Sequence, residues 1–553
     1  MWTLVLIILI CLIAALNLYK TIKDKKLPPK TVNIIASVLI VLAAILAILD
    51  RLKPSEIKEE VREVIAEELD KRIESSGASS YVGGIAQTKN MNLANLFAEG
   101  LKYKRSFEYD NAIKAFTGAL GLKDIKDSET AALYIQIGNS FLSQSRFDEA
   151  LGSYKQALRF AERAKDDEGK ATALCNIGLI YKAKGDLNKA LKYHQESMKI
   201  YKEIGSSEGE ASQLNNIGVI YRAKGDLDTD LDTALRYHQE ALKIATEIDF
   251  QPVEANALVN IGLVYRVRGD LGKALKYFED ALNIFKDIGL TQGEATALGN
   301  IGAIYQKKGH LDQALKYHQK SLEISRKIGY RENEANQLGN IAAIYKAKGN
   351  LDQALKYLKD ALKIDKEIGF RQGEAISSVN IASIYRDKGD LDSALRYLED
   401  ALKIYNEIGL RVGEARALDK IGLVYQDKGD LDQALKYHQE ALRIDKGIGF
   451  KDGEASDLGN IGLIYRAKGD LDQALRYLQE ALKIHKEIGF RQGEAISLYN
   501  IGEIYKDKGD LDKALTYYKE ALEIFEEIGM QPQVTQTLGN IKRIEEEKKG
   551  RKK

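Results

Sequence analysis

Hydrophobic and polar positions divide the chain into two kinds of text. Near the start lie two apolar runs, WTLVLIILICLIAALNLY (2–19) and TVNIIASVLIVLAAILAIL (31–49), each close to the ~20 residues a helix needs to cross a bilayer. Neither a basic start nor a small-residue cleavage site marks the first as a removed leader. This pattern predicts two transmembrane helices in 1–52, joined by the loop KTIKDKKLPPK (20–30). Five lysines in that loop place it in the cytoplasm and the long remainder on the extracytoplasmic side. Arg51, Lys53, Lys58 and Arg62 argue against that orientation. The localisation expected is a two-span, multi-pass membrane protein.

A different pattern follows. In SEIKEEVREVIAEELDKRIE (55–74), Ile57, Val61, Val64, Ile65, Leu69 and Ile73 fall on one helical stripe, capped by Ser55. The segment 53–92 thus predicts a charged stalk helix and then a flexible linker; a short coiled coil giving a homo-oligomer through 55–74 is the alternative. From residue 93 a fixed period takes over. The alanine of a recurring "xAL" or "xAI" stands at Ala112, Ala150, Ala190 and Ala234, then every 40 residues from Ala274 to Ala514. The spacing of 44 before Ala234 reflects four extra residues in GDLDTDLDTAL (225–235), expected to be absorbed in a loop between helices.

One unit shows what the period encodes. Leu458, Ile461, Gly462 and Tyr465 share a face of one helix, and Gly469 stops it. Asp470 caps a second helix, with Gln473 at capping-box spacing. Leu471, Ala474, Leu475, Leu478, Ala481, Leu482 and Ile488 make its apolar stripe, and Gly489 ends it. A single antiparallel pair cannot bury both stripes, so successive pairs must stack. The small Gly462, Ala474 and Ala481 let helix axes approach closely.

Leu458, Ile461, Gly462, Tyr465, Gly469, Ala474, Tyr477 and Ala481 stand where the tetratricopeptide repeat (TPR) signature wants them, so the chain resembles that family. The unit is longer than the family's usual repeat, as in the arrays of LGN/Pins-type adaptors and, less closely, kinesin light chain. The resemblance covers 93–553 and implies an all-α TPR α-solenoid, a right-handed superhelix of about eleven antiparallel helix pairs plus a C-terminal capping helix. The first two units and the charged C-terminal helix depart from the pattern, as solenoid ends do.

Composition narrows the function. Lys+Arg (82) and Asp+Glu (81) nearly cancel, so no net field favours nucleic acid. Two cysteines make no disulfide framework. GDLGKAL (269–275) lacks the spacing of a phosphate loop, and GNIG follows no strand. Arg268-Gly269-Asp270 is one copy of the helix stop and cap written KGD elsewhere. His194, His238, His318 and His438 share one position that Leu358, Leu398 and Leu478 also fill, so they read as packing residues. No catalytic residue, metal ligand or cofactor is expected.

Two columns recur without a packing need. One is Asn176, Asn216, Asn260, Asn300, Asn340, Asn380, Asn460 and Asn500, interrupted by Lys420. The other is Lys182, Arg222, Arg266, Lys346, Arg386, Arg466 and Lys506, with Gln306 and Gln426 as exceptions. By resemblance the asparagines line a concave groove, where an amide donates to and accepts from the backbone of an extended peptide. The competing reading has them bonding neighbouring helices. The basic edge would favour acidic residues in the bound segment. The expectation is a membrane-anchored scaffold, not an enzyme, that binds a protein partner's extended segment. The alternatives are a non-catalytic subunit or assembly factor of an envelope complex, or a self-associating array.

Overall fold

Most second helices begin at an Asp or Asn that caps them, and the helices end where the backbone can turn left-handed. Asp470 accepts from the Gln473 backbone N–H at 3.0 Å, satisfying one of the orphan donors of the helix Leu471–Glu487. Asp186, Asp270, Asp390, Asp430 and Asp510 cap their helices in the same way. Gly469 (φ 83°) and Gly489 (φ 68°) close the two turns of that pair with a backbone that side chains resist.

The computed structural model describes residues 90–551 except 225–227, together with Ile85 and Thr88. These residues belong to one compact unit, Asp70–Lys553. Among them are 23 α-helices and no strand: eleven antiparallel pairs followed by the helix Gln531–Arg551. Numbered from the N-terminus, pair 3 spans 167–203, pair 4 207–247, pair 5 251–287, pair 6 291–328 and pair 7 331–367. Pair 8 spans 371–407, pair 9 411–448, pair 10 451–487 and pair 11 491–527.

The expected membrane placement is corrected. Among the described residues no helix is long and apolar enough to cross a membrane, because every helix alternates its apolar stripe with charged positions. The runs 2–19 and 31–49, and the stalk 55–74, lie outside the described residues. A second correction concerns the four inserted residues. The second helix of pair 4, Asp228–Glu247, has 20 residues where Leu471–Glu487 has 17, so much of the insertion lengthens that helix instead of a loop.

Within each pair a large side chain of the second helix presses on a glycine of the first. A Cβ on Gly262 would stand 2.7 Å from Phe278 Cε1, and one on Gly302 would stand 2.8 Å from His318 Nε2. Gly138 faces Tyr154, and Gly462 faces Leu478, in the same way. Where the first helix carries alanine instead, at Ala342 and Ala382, the residue sixteen positions on is Leu358 or Leu398. A second close approach seals the next turn, where Gly293 lies against Phe285 and Gly413 against Tyr405. Stacked tyrosines flank each of pairs 3–11. Tyr181 and Tyr193 have centroids 5.4 Å apart and planes within 4°, and Tyr465 and Tyr477 are 5.4 Å apart within 7°.

Between pairs, a lysine at the end of one first helix meets an aspartate of the preceding second helix. Lys348–Asp312, Lys388–Asp352 and Lys428–Asp392 approach to 2.5, 2.5 and 2.6 Å. These rim pairs are exposed and solvent-screened, so they add little to stability. Longer-range contact also occurs. Phe147, Tyr154, Ile177 and Ile180 share one buried cluster with Ala401, Ile404, Tyr405 and Ile408. Nearby, the Gln372 backbone N–H donates to Ser145 Oγ at 3.2 Å, 227 residues away in sequence. The solenoid therefore meets itself after one turn.

Gly262→Ala should destabilise the protein by about 1–3 kcal/mol through overpacking against Phe278, less the helix-propensity gain of up to ~1 kcal/mol. Combining it with Phe278→Leu should cost at least ~1 kcal/mol less than the sum of the single changes, because Ala–Leu is the pairing used in pairs 7 and 8. Denaturant melts of the four proteins measure this, and strict additivity would refute the contact.

Candidate functional site

The first helices of successive pairs hold both sequence columns. Between Arg331–Ala347 and Arg371–Asp387 lies a cleft of about 250 Å³, lined by Asn336, Asn340, Lys346, Ile376, Asn380 and Ser383 among others. Two positions of the asparagine column and one of the basic column thus share one concavity. Ile376 contributes an apolar side chain that is 45% exposed.

The asparagine column splits by what stands 41 residues earlier. Asn460 Nδ2 donates to Asp419 Oδ1 at 2.8 Å, and Asn216 Nδ2 to Cys175 Sγ at 3.6 Å. Asn176, fully buried, reaches Asn139 Oδ1 at 3.4 Å, 37 residues earlier. At these positions the amide ties neighbouring helices together. For Asn300, Asn340, Asn380 and Asn500 the residue 41 earlier is Val259, Gly299, Gly339 or Gly459, none with a polar side chain. Among the described residues no side-chain hydrogen bond engages these four amides or Asn260, and Asn380 is exposed.

The basic column divides too, here by what stands 41 residues later. Lys346 meets Asp387 at 2.9 Å and donates to Ser383 Oγ at 2.6 Å. Arg386 pairs with Asp427. Arg466 holds Asp507 at 2.6 Å and Glu503 at 2.8 Å, and Lys506 meets Glu503 at 2.9 Å. Hydrogen bonding to Asp427 pushes the Arg386 pKa up. For Arg466, burial opposes the charge, but Asp507 and Glu503 raise its pKa on balance.

Toward the N-terminus the corresponding acids are missing, replaced by Ala223 and Lys307, 41 residues after Lys182 and Arg266, and by Val267, 45 after Arg222 because of the four inserted residues. Lys182, Arg222 and Arg266 have no acidic partner among the described residues. Burial lowers the pKa of all three; Arg222 further depresses Lys182, and Arg266 further depresses Arg222. Arg222 Nε is buried without a hydrogen-bond partner. These three cations therefore stand without acidic neighbours among the described residues.

The histidine column is buried, as packing requires, but it is also specifically partnered. His194 Nδ1 lies 2.9 Å from Gln213 Oε1, and His318 Nδ1 lies 2.8 Å from Gln337 Oε1. His238 meets Asn215 Oδ1 at 3.0 Å. At His438 the neighbours are acidic: Asp419 Oδ1 lies 3.1 Å from Nδ1, and Asp457 is buried beside them. For His194 and His318 the partner stands nineteen residues after the histidine, at Gln213 and Gln337; for His438 the acid on Nδ1 is Asp419, nineteen residues before it, and Asp457, nineteen after it, belongs to the same group. Where the column holds Phe278, Leu358, Leu398 or Leu478, that place holds Ala297, Ser377, Ala417 or Ser497. This internal covariation was available in the sequence and marks a polar contact across the pair boundary. Asp457 is pushed up to about 9, by burial first and then by Asp419 and Asp445.

With the geometry in hand, the comparisons become informative. The tetratricopeptide repeat family model matches residues 129–203, 169–229, 214–287, 293–367, 373–447 and 455–527, together more than half of the chain. The chain belongs to the tetratricopeptide repeat family. No curated protein matches it. Among solved structures it is similar to BtubC (BKLC) from P. vanneervenii at 19% identity, covering 40% of this chain and 90% of that one, with a TM-score of 0.34. It is also similar to the apo quorum sensor NprR from B. thuringiensis (18% identity, 66% and 99% coverage, TM-score 0.44). Yeast Tom70 is similar at 15% identity, 84% and 97% coverage, and a TM-score of 0.43. These likenesses carry no functional argument. In the TPR array, then, the packing residues recur for stacking, while the two columns lie mostly half-buried on the first helices.

The buried histidines make stability pH-dependent. Burial pushes His194 down to about 4, against about 6.5 in the unfolded chain. Between those values the unfolded chain binds the extra proton, so this stability is present above pH ~6.5 and is lost as pH falls toward 4, at up to ~1.4 kcal/mol per pH unit. A His194→Leu, Gln213→Ser protein should melt with a shallower pH dependence over that window; a slope equal to the parent's would exclude His194 as a cause.

Proposed function

We propose that this TPR array is a non-catalytic scaffold that binds an extended, acidic segment of a partner protein along its first helices. The observation that carries this reading is the offset between two sets of unengaged groups. Lys182, Arg222 and Arg266 lack acidic partners in pairs 3–5, while Asn260, Asn300, Asn340 and Asn380 keep free amides in pairs 5–8. An extended chain laid along the array meets cations at one end and a run of amides beyond them. The cations fit carboxylates through charge-assisted hydrogen bonds. The amides suit the peptide backbone, since each offers a donor and an acceptor. Val219, Leu263, Ala303 and Ala343, one turn from the basic column, supply an apolar floor.

The reading narrows the ligand strip from the whole array to its N-terminal and central pairs. Lys346, Arg386, Arg466 and Lys506 are engaged by the protein's own acids, so a ligand would have to displace those acids to use them. Affinity arises from many weak contacts, and loss of any single one is tolerated.

The full chain should bind fluorescent extended peptides with a strength that rises with their Glu and Asp content and falls with salt. Arg222→Glu with Arg266→Glu should weaken that binding at least tenfold, whereas Arg466→Ala should change it less than twofold. Asn300→Ala, Asn340→Ala and Asn380→Ala together should weaken neutral and acidic peptides alike. Equal binding by the parent and the Arg222/Arg266 variant would sink the assignment of the strip.

A further inference from the structure

One boundary in the array departs from the others in its buried chemistry. At 419 the chain carries Asp, where the neighbouring units have Gly339, Val379 and Gly459. At 457 it carries Asp, where they have Ser377, Ala417 and Ser497. These two acids flank His438, and the three come from three successive helices: Arg411–Asp427, Leu431–Ile448 and Lys451–Ala467. We propose that Asp419, His438 and Asp457 form a divalent-cation site that clamps pair 9 to pair 10.

The geometry supports this in four ways. One ligating atom from each residue lies within 4.8 Å of the other two. Ligands ~2.0–2.2 Å from a tetrahedral zinc ion stand roughly 3.3–3.6 Å apart, so closure needs side-chain shifts of up to about an ångström. His438 is fully buried and Asp457 is 2% exposed, and Asp457 Oδ2 has no hydrogen-bond partner. The ring is oriented for the task, because its Nε2 edge presses on Gly422 while Nδ1 faces Asp419. Finally, Asn460 donates to Asp419 Oδ1, an outer contact of the kind that orients carboxylate ligands.

The donor set, one imidazole nitrogen and two carboxylate oxygens, suits Zn²⁺ or a similar borderline divalent ion. The balance of charge agrees. A divalent ion there would face two carboxylates and one imidazole, a ligand set whose full negative charge it can cancel. Asp445 adds a third buried acid nearby, with Oδ1 unpartnered. Lys420, beside Asp419 at 3.3 Å, is the one cation in direct contact among the described residues, and it is half exposed. No other pair boundary in the described residues assembles such a group.

The array supplies its own conservative controls. His438→Leu copies the residue at Leu358, Leu398 and Leu478, and Asp457→Ser copies Ser377 and Ser497, so both substitutions have precedents that pack. The purified full chain, stripped with a chelator, should bind one additional equivalent of Zn²⁺ relative to either variant and should melt at a higher temperature with the ion. Each variant should bind at that site at least tenfold more weakly, and its melting temperature should no longer respond. His318→Leu, at the equivalent place beside Gln337, should leave Zn²⁺ binding unchanged. If the parent and His438→Leu proteins take up Zn²⁺ identically, or the parent's melting is indifferent to excess Zn²⁺, the site is refuted and the group is a buried acid–histidine pair.

Discussion

The structure depends on a steric condition: a helix without a side chain at one position admits a large side chain from its partner. Gly262 under Phe278, Gly302 under His318 and Gly462 under Leu478 set how near the two axes come. That spacing decides whether the tyrosine pairs stack and whether the next first helix, with its own glycine against Tyr405 or Phe285, can close over the turn. Because each pair buries one stripe within itself and offers the other to its neighbour, the condition must be met at nearly every step. The constancy of the repeat is the constancy of this contact. The few exceptions keep it by trading both partners, as Ala342 and Ala382 do with Leu358 and Leu398.

Rigid stacking turns sequence offsets into spatial neighbours. A residue 41 places on in the chain sits beside its counterpart on the next first helix, so each exposed column can react with itself. Arg466 finds Asp507, and Asn460 finds Asp419, at that separation. The same column is therefore neutralised in one stretch and free in another without any change in its own residues. What differs is the residue at that separation: Asp427 for Arg386, but Lys307 for Arg266. Function in such an array is written as much in what is missing beside a residue as in the residue.

Much of this was legible beforehand. The helix pairs, their capping aspartates, their left-handed glycines and the buried histidine column follow from the 40-residue spacing and from rules that act within one turn of helix. The division of the two columns was not read, because it depends on pairs of positions 41 apart while each column was taken by itself. Nor was the lengthened second helix of pair 4, since Asp228 and Asp230 look like loop residues until the helix beyond them is seen to start a turn early. The contact of Gln372 with Ser145 could not be read at all, because a separation of 227 residues depends on the pitch accumulated over many pairs. The clearest missed signal was the polar residue nineteen positions after His194, His318 and His438.

That partner shows how a packing position acquires chemistry. A ring held under a glycine must present one edge to the next pair, and an imidazole presents a polar atom there. Burial makes an unpaired nitrogen costly, so a histidine in the column obliges a polar residue nearby, as Gln213 and Gln337 answer it. A glutamine completes the contact neutrally. At the boundary of pairs 9 and 10 two aspartates, Asp419 and Asp457, take that part beside His438, so the rule that builds the array is satisfied there by acids in place of an amide.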